Sequence, residues 1–251
     1  MYIFLVHSVL NCKYSASSPA MDPIEGLPPS CYYVPSFITP SEEQQILNDI
    51  HKLPESRWTV LTHRRLLSLP STLTGPARDT LLACPLPAYL DTIVARLEQG
   101  KYFENSTHKA PNHVLINEYK PGEGIMPHED GPAYDPITAT VSLGSHTVLE
   151  IYKKNEAGER EAKPTWRILQ EPRSLLVTTG EMYVNTLHGI SEIQTDENLD
   201  GKQIVNWDLL GDQRPYETGQ ARRQTRISLT LRDVIKVAKL GGALKFMNKR
   251  P

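Results

Sequence analysis

The sequence lacks most of the features that would settle its class at a glance. It has only three cysteines, Cys12, Cys31 and Cys84, an odd number, widely spaced and in no paired motif. That argues against a disulfide framework and a thiolate metal cluster, and for a reducing compartment. An excess of charge of one sign is missing too, since 27 Lys and Arg stand against 29 Asp and Glu for a net charge of −2. With no global cationic field, wholesale attraction to phosphate backbones is not expected, and a contact with single-stranded or alkylated DNA or RNA would have to be local. No stretch reaches the roughly 20 apolar residues that span a bilayer, so no membrane contact is expected. The run Tyr2-Ile-Phe-Leu-Val-His-Ser-Val-Leu10 is similar to a short signal-peptide core, but no Lys or Arg precedes it and His7 interrupts it. An extended leader before an alternative start at Met21 is the preferred reading, with a monomer in cytoplasm and nucleus.

At 251 residues and 39% hydrophobic composition, the chain is long enough for one large domain with a buried core. The proline-rich stretch from Pro23 to Pro35 reads as the end of an extended leader over 1–34. A region of helices follows over 35–112. Thr39-Pro40-Ser41-Glu42 combines a capping residue, a proline at the first helical position and a glutamate three after the cap. It predicts a helix from Pro40 to about Leu53, with Ile46, Ile50 and Leu53 on its apolar face. A second helix is predicted from Pro87 to Gln99, with Leu90, Ile93, Val94 and Leu97 on one side. Trp58 to Thr62 reads as a strand.

From 113 to 233 the pattern changes to short runs with alternation or β-branched residues. They are His113 to Tyr119, Ile137 to Leu143, Val148 to Tyr152, Trp166 to Leu169, Ser174 to Thr178, Met182 to Val184, Ile204 to Trp207 and Arg226 to Leu231. Many strands separated by Gly, Pro and Asn turns indicate a sandwich or barrel, mainly β with outer helices (α+β). Lys153 to Lys163 and Thr195 to Gln203 read as exposed insertions, and 234–251 as a C-terminal tail or a helix from Val234 to Met247.

Chemistry is suggested by His128-Glu129-Asp130. If that segment is extended, residues at i and i+2 share a face, so His128 and Asp130 can reach one ion while Glu129 points away. His188, beside Gly189, offers a third ligand where glycine allows close backbone approach. Two imidazoles and one carboxylate are the set that binds non-haem Fe(II) and leaves open positions. HxD alone is a common triplet; His188 could be a satisfied core histidine and Asp130 a turn residue before Gly131-Pro132.

Arg226-Ile227-Ser228-Leu229-Thr230-Leu231-Arg232 adds weight. Its apolar residues alternate with polar ones, so Ile227, Leu229 and Leu231 face a core and Arg226, Ser228, Thr230 and Arg232 the other side. A buried strand tolerates two arginines only where anions pair with them. Arg167 and Arg173 share the spacing, but Pro172 breaks that segment and it precedes His188.

The ordered set of HxD, His and R-x5-R, preceded by Asn117-Glu118-Tyr119-Lys120-Pro121-Gly122-Glu123, resembles the AlkB family of Fe(II)/2-oxoglutarate dioxygenases over roughly Tyr32 to Arg232. The resemblance implies a double-stranded β-helix, or jelly roll, with outer helices and an N-terminal lid. It implies His128, Asp130 and His188 as iron ligands, and 2-oxoglutarate and O2 as cosubstrates. Arg226 would pair with the distal carboxylate of 2-oxoglutarate, with Tyr119 and Ser228 beside it. Asn117 and Arg232 would lie near the metal-side carboxylate, and Arg232 would also steady Asp130.

The implied reaction is oxidation of a C–H bond, with an alkylated nucleic-acid base the leading substrate. A protein or small-molecule substrate, or a non-catalytic nucleic-acid-binding relative, is the alternative. Arg64-Arg65, Lys153-Lys154 and Arg222-Arg223 are candidate phosphate contacts, and Tyr32, Tyr33 or Trp58 candidate stacking partners for a flipped base, although such residues more often face water or a core.

Overall fold

The computed structural model describes residues 23–155 and 157–239. The leader up to Ala20, Cys12, Glu156 and the C-terminal positions from 240 onward lie outside the described residues.

The strands in chain order are β1 (Cys31–Val34), β2 (Thr59–Leu61), β3 (Arg64–Leu69), β4 (Thr80–Leu82), β5 (His113–Tyr119), β6 (Ile125–His128), β7 (Tyr134–Leu143), β8 (Thr147–Lys153), β9 (Trp166–Gln170), β10 (Leu175–Thr179), β11 (Thr186–Ile190), β12 (Thr195–Glu197), β13 (Gln220–Arg222), β14 (Arg226–Val234) and β15 (Lys236–Ala238). The helices are α1 (Pro40–His51), α2 (Asp91–Gln99) and the short α3 (Gly180–Val184). Two sheets carry the fold: a seven-stranded one in the order β1-β10-β7-β14-β5-β3-β2, and a four-stranded one in the order β6-β11-β8-β9.

α1 forms where the capping box predicts it. The Thr39 hydroxyl accepts from the Glu42 N–H at 3.2 Å, and the Glu42 carboxylate accepts from the Thr39 N–H at 2.7 Å, closing two backbone donors that the first turn leaves open. Ile46 and Ile50 of α1 and Ile93 and Leu97 of α2 pack with Val114, Ile116, Val141, Ile227, Leu229 and Leu231 of the large sheet. The helices therefore cover one face of that sheet. The second core, with Tyr119, Leu149, Ile151, Ile168, Leu176 and Ile190, draws on strands of both sheets and fills the space between them. β14 lies between β5 and β7, and all nine of its residues are buried. Its alternation splits as expected, Ile227, Leu229 and Leu231 to the helix-side core and Arg226, Ser228, Thr230 and Arg232 to the cavity between the sheets.

Several expectations need correction. Cys31–Val34, expected in an extended leader, pairs with β10 in the large sheet, and Tyr33 is buried with its hydroxyl on Glu171. β3, expected within the helical region, is hydrogen-bonded along β5. Met182–Val184, expected as a strand, lies in α3, entered through Gly180 at φ +49°, a left-handed turn that breaks the extended path. Ile204–Trp207 is not a strand either. There the Asn206 side chain binds the Leu169 N–H at 2.9 Å and the Leu169 carbonyl at 2.8 Å, so an amide group replaces a ladder partner for β9. Thr195–Glu197, at the start of the expected exposed insertion, is a short strand paired with β13, whose central Asp196 is fully buried on Arg223 while Glu197 is exposed. At the C-terminus, Lys236–Ala238 pairs in parallel with β4 where a helix had been expected.

Candidate active site

β6 and β11 are antiparallel neighbours in the small sheet, and His128 pairs directly with His188. Their ring centroids lie 4.5 Å apart. Asp130 follows β6 by two residues and turns back so that one ligand atom from each of His128, Asp130 and His188 lies within 4.8 Å of the others. Gly189 is what lets β11 approach: a Cβ there would sit 2.9 Å from the Pro127 nitrogen and 3.1 Å from the Ile125 carbonyl oxygen.

Hydrogen bonds orient the donors. His128 Nδ1 lies 2.9 Å from the Met126 carbonyl oxygen, which places the proton on Nδ1 and leaves the Nε2 lone pair free for a metal. Burial pushes the His188 pKa down from 6.5 to about 4, against the pull of the Asp130 charge, so its ring is neutral near pH 7. Burial works to raise the Asp130 pKa, but the Arg232 guanidinium, the two imidazoles and the Thr138 hydroxyl hold it below the ordinary carboxylate value. Thr138 Oγ1 donates to Asp130 Oδ2 at 2.9 Å, and Arg232 Nη2 donates to Asp130 Oδ1. Two imidazoles and one carboxylate, fixed and converging, match the donor chemistry of non-haem Fe(II).

Behind the triad lies a cavity of about 250 Å³. Asn117, Tyr119, Arg226, Ser228 and Arg232 all line it together with the triad, so the sequence-predicted residues meet in one place. The register explains the convergence, since Arg226 lies opposite Tyr119, and Ser228 opposite both Asn117 and Ser142. Arg226 is 3% exposed, and burial lowers its pKa to about 10. It donates to Ser142 Oγ at 2.9 Å and Gln170 Oε1 at 3.1 Å, and no carboxylate among the described residues pairs with it. A guanidinium so placed keeps its charge at the cost of desolvation unless an anion enters the cavity.

Sequence reasoning missed Thr138, Gln170, Met182 and Tyr183, which also line the cavity, and Arg64, read from the sequence only as a candidate phosphate contact, lines it too. Only Thr138 had a visible signal, an inward position on a predicted strand. The candidate phosphate and stacking residues divide. Arg65 is taken by Glu118 and Glu55 and lies over Trp58, itself buried; Arg223 is buried on Asp196; and Tyr33 is buried on Glu171. Those four contribute to the fold rather than to a nucleic-acid surface. Arg167 and Arg173, the rival arginine pair, bind the Glu197 and Asn198 carbonyls and the Glu43 carboxylate respectively.

Two facing sheets that carry a His-Asp-His triad beside a buried, anion-seeking arginine define a class, the non-haem iron oxygenases that consume an oxo acid. Comparison with known proteins agrees. The model of the 2OG-Fe(II) oxygenase superfamily matches residues 30–232. The zebrafish (Danio rerio) protein named "Probable RNA/DNA demethylase ALKBH6" is 37% identical over 221 residues, covering 85% of this chain and 89% of that protein. "Uncharacterized protein L905" of Acanthamoeba polyphaga mimivirus is 32% identical over 203 residues, 80% and 82% of the two chains. A mouse protein named "tRNA (carboxymethyluridine(34)-5-O)-methyltransferase ALKBH8" is 28% identical over 81% of this chain, which spans 31% of that longer protein. Among solved structures, "The structure of OsALKBH1" superposes with a TM-score of 0.55 at 16% identity, covering 84% of this chain and all of that one, a likeness of fold.

The chain belongs to the 2OG-Fe(II) oxygenase superfamily, in its AlkB branch. It is an Fe(II)- and 2-oxoglutarate-dependent dioxygenase with the jelly-roll fold, and Fe(II), 2-oxoglutarate and O2 are its cofactor and cosubstrates.

Proposed function

We propose that the protein oxidises an alkylated base in single-stranded DNA or RNA, with His128, Asp130 and His188 holding the iron and Arg226, Tyr119, Ser228, Asn117 and Arg232 holding 2-oxoglutarate. The observation that carries the site assignment is Arg226, a buried cation facing the same cavity as the triad without an anion of the protein's own. The substrate class rests on the names of the relatives at 37% and 28% identity.

His128, Asp130 and His188 would hold Fe(II), which with 2-oxoglutarate and O2 would supply the oxidant for hydroxylating a substrate C–H bond, the oxo acid ending as succinate and CO2. The chain's own residues do the positioning. Arg226 would neutralise the distal carboxylate from a buried position, where a charge-assisted hydrogen bond is strong. Ser142 and Gln170 hold the guanidinium in place. Ser228 and Tyr119 line the cavity beside Arg226 and would border the same carboxylate, and burial raises the Tyr119 pKa, which keeps its hydroxyl able to donate. Arg232 and Thr138 keep Asp130 ionised and oriented. Hydroxylation of an N-methyl carbon would release formaldehyde and leave the unmodified base.

We place the enzyme in the cytoplasm and nucleus as a monomer. A screen of succinate release across alkylated single-stranded DNA, RNA and peptides tests the substrate class. Stimulation by alkylated nucleic acid is expected; stimulation by peptides alone would transfer the assignment to a protein substrate.

A further inference from the structure

Arg64 and Arg65 are neighbours with opposite fates. Leu67 and Leu69 of β3 belong to the helix-side core, so alternation puts Arg65 on that side and Arg64, Leu66 and Ser68 toward the cavity. Arg65 is locked. It binds Glu118 through two bonds of 2.8 Å, reaches Glu55 at 2.9 Å, and stacks on Trp58. The turn before β3 is also anchored, as the Gly124 N–H donates to the His63 carbonyl at 3.2 Å. Arg64 is thus delivered to the cavity wall by a rigid hairpin.

There it makes one bond among the described residues, Nε to Asn117 Oδ1 at 3.2 Å. That bond has a directional consequence. An amide whose oxygen accepts from Arg64 has its NH2 group turned the other way, and Asn117 Nδ2 has no partner among the described residues. The terminal nitrogens of Arg64 take part in no hydrogen bond or ion pair among those residues, the Nε contact to Asn117 being the one its side chain makes there. β3 lies beside β5 near the edge of the sheet, with only the three-residue β2 beyond it, and Arg64 on it is half-buried in the cavity lining.

We propose that Arg64 joins the two substrates of the enzyme. Its Nε holds the Asn117 amide with its donor side toward the metal-side carboxylate of 2-oxoglutarate, and its terminal nitrogens take a phosphate oxygen of the nucleic-acid strand. The proposal rests on the assignment of Asn117 and of a nucleic-acid substrate made above. A phosphate that fixes the guanidinium also fixes the amide, so strand and oxo acid strengthen each other's binding, and by linkage the effect is reciprocal.

Glutamine separates the two roles, because its Nε2 stands as many bonds from the backbone as the arginine Nε but carries no charge and no terminal nitrogens. On full-length protein with Fe(II) under anaerobic conditions, 2-oxoglutarate affinity is read from the visible charge-transfer band, and affinity for a fluorescent oligothymidylate from anisotropy at low salt. Arg64→Ala and Asn117→Ala should each weaken 2-oxoglutarate about ten-fold, the double variant no further, and Arg64→Gln should recover most of the loss. Both Arg64 variants should weaken the strand and abolish its dependence on 2-oxoglutarate.

Additive losses in the double variant, or Arg64→Gln behaving as Arg64→Ala toward 2-oxoglutarate, would overturn the link to Asn117. Wild-type strand affinity in Arg64→Gln, or no strand binding by the wild type, would overturn the phosphate contact. Arg226→Ala serves as the reference: if it abolishes 2-oxoglutarate binding while Arg64→Ala does not, the failure belongs to Arg64, and if it leaves binding intact, the pocket assignment itself is wrong. Circular dichroism of Arg64→Gln guards against a folding artefact.

Discussion

His128 and His188 stand directly opposite each other on antiparallel strands, their ring centroids 4.5 Å apart. The backbone ladder therefore sets the separation of the two imidazoles before any ion arrives, and a one-residue slip of β11 on β6 would turn His188 out of the cavity. Asp130 is the flexible member by sequence position, lying beyond the end of β6. It is held instead by Arg232 and Thr138.

Asp130 should accordingly matter to folding as well as to metal. Both Asp130 and Arg232 are nearly buried, with side chains 4% and 8% exposed. Asp130→Ala leaves the Arg232 charge without its anion, a change that costs roughly 3–5 kcal/mol when a buried pair is broken. Urea unfolding of the metal-free variant should show that loss, and the anaerobic Fe(II)/2-oxoglutarate band should vanish. A variant that unfolds like wild type would mean that the Arg232 contact carries little stability.

Arg226 makes the opposite prediction, because its charge has no anion of the protein's own. Arg226→Met fills a similar volume without a charge, so stability without ligand should be unchanged or higher. Wild type should be stabilised by added 2-oxoglutarate and the variant should not. The affinity loss should be roughly 1.5–3 kcal/mol, about 10- to 150-fold in Kd. Titrations followed by Tm and by the visible band check both halves. A variant destabilised by several kcal/mol without ligand would show that Ser142 and Gln170 alone satisfy the guanidinium.

Stability should fall with acid over a defined window. Burial, reinforced by Arg232, lowers the His113 pKa from 6.5 to about 4, and burial does the same for His188. Between these values the unfolded chain takes up protons that the folded chain refuses, so stability is retained above pH 6.5 and lost as pH drops toward 4. The depressed Asp130 pKa acts in the same sense at lower pH. His113→Gln should make the decline of the urea midpoint shallower between pH 6.5 and 4, by up to one proton of linkage. An unchanged slope would show that His113 is not the refused proton.

The parts of this molecule that could be read from the sequence are those where local chemistry and tertiary demand coincide. β14 has a strict period of two over Arg226 to Arg232, and each face is used as that period requires. The α1 box at Thr39 and Glu42 closes locally, so nothing distant overrides it. β3 was illegible because Arg-Arg-Leu-Leu-Ser-Leu has no β-branched residue, and its strand state depends on pairing with β5, far along the chain. The triad was visible as residue types, but its convergence depends on a register that only the fold supplies.

Asn206 shows the limit most plainly and yields a last test. Ile204 to Trp207 has the residue types of a strand, yet the backbone runs through turns and a 3-10 segment, and the Asn206 side chain alone serves Leu169. Asn206 is fully buried, as is Leu169. Asn206→Ala removes a donor and an acceptor together and leaves both a buried N–H and a buried carbonyl of β9 without partners. Each such group costs about 1–3 kcal/mol, so a loss of at least about 2 kcal/mol in urea unfolding is expected. Asn206→Asp keeps the acceptor for the Leu169 N–H but sets a carboxylate against the Leu169 carbonyl, so it should be no less damaging despite its matching shape. Amide exchange at Leu169 should accelerate in the alanine variant relative to neighbouring strand positions. Protection there equal to wild type would mean that another group has taken over the ladder, and that the side chain was not what holds this segment to β9.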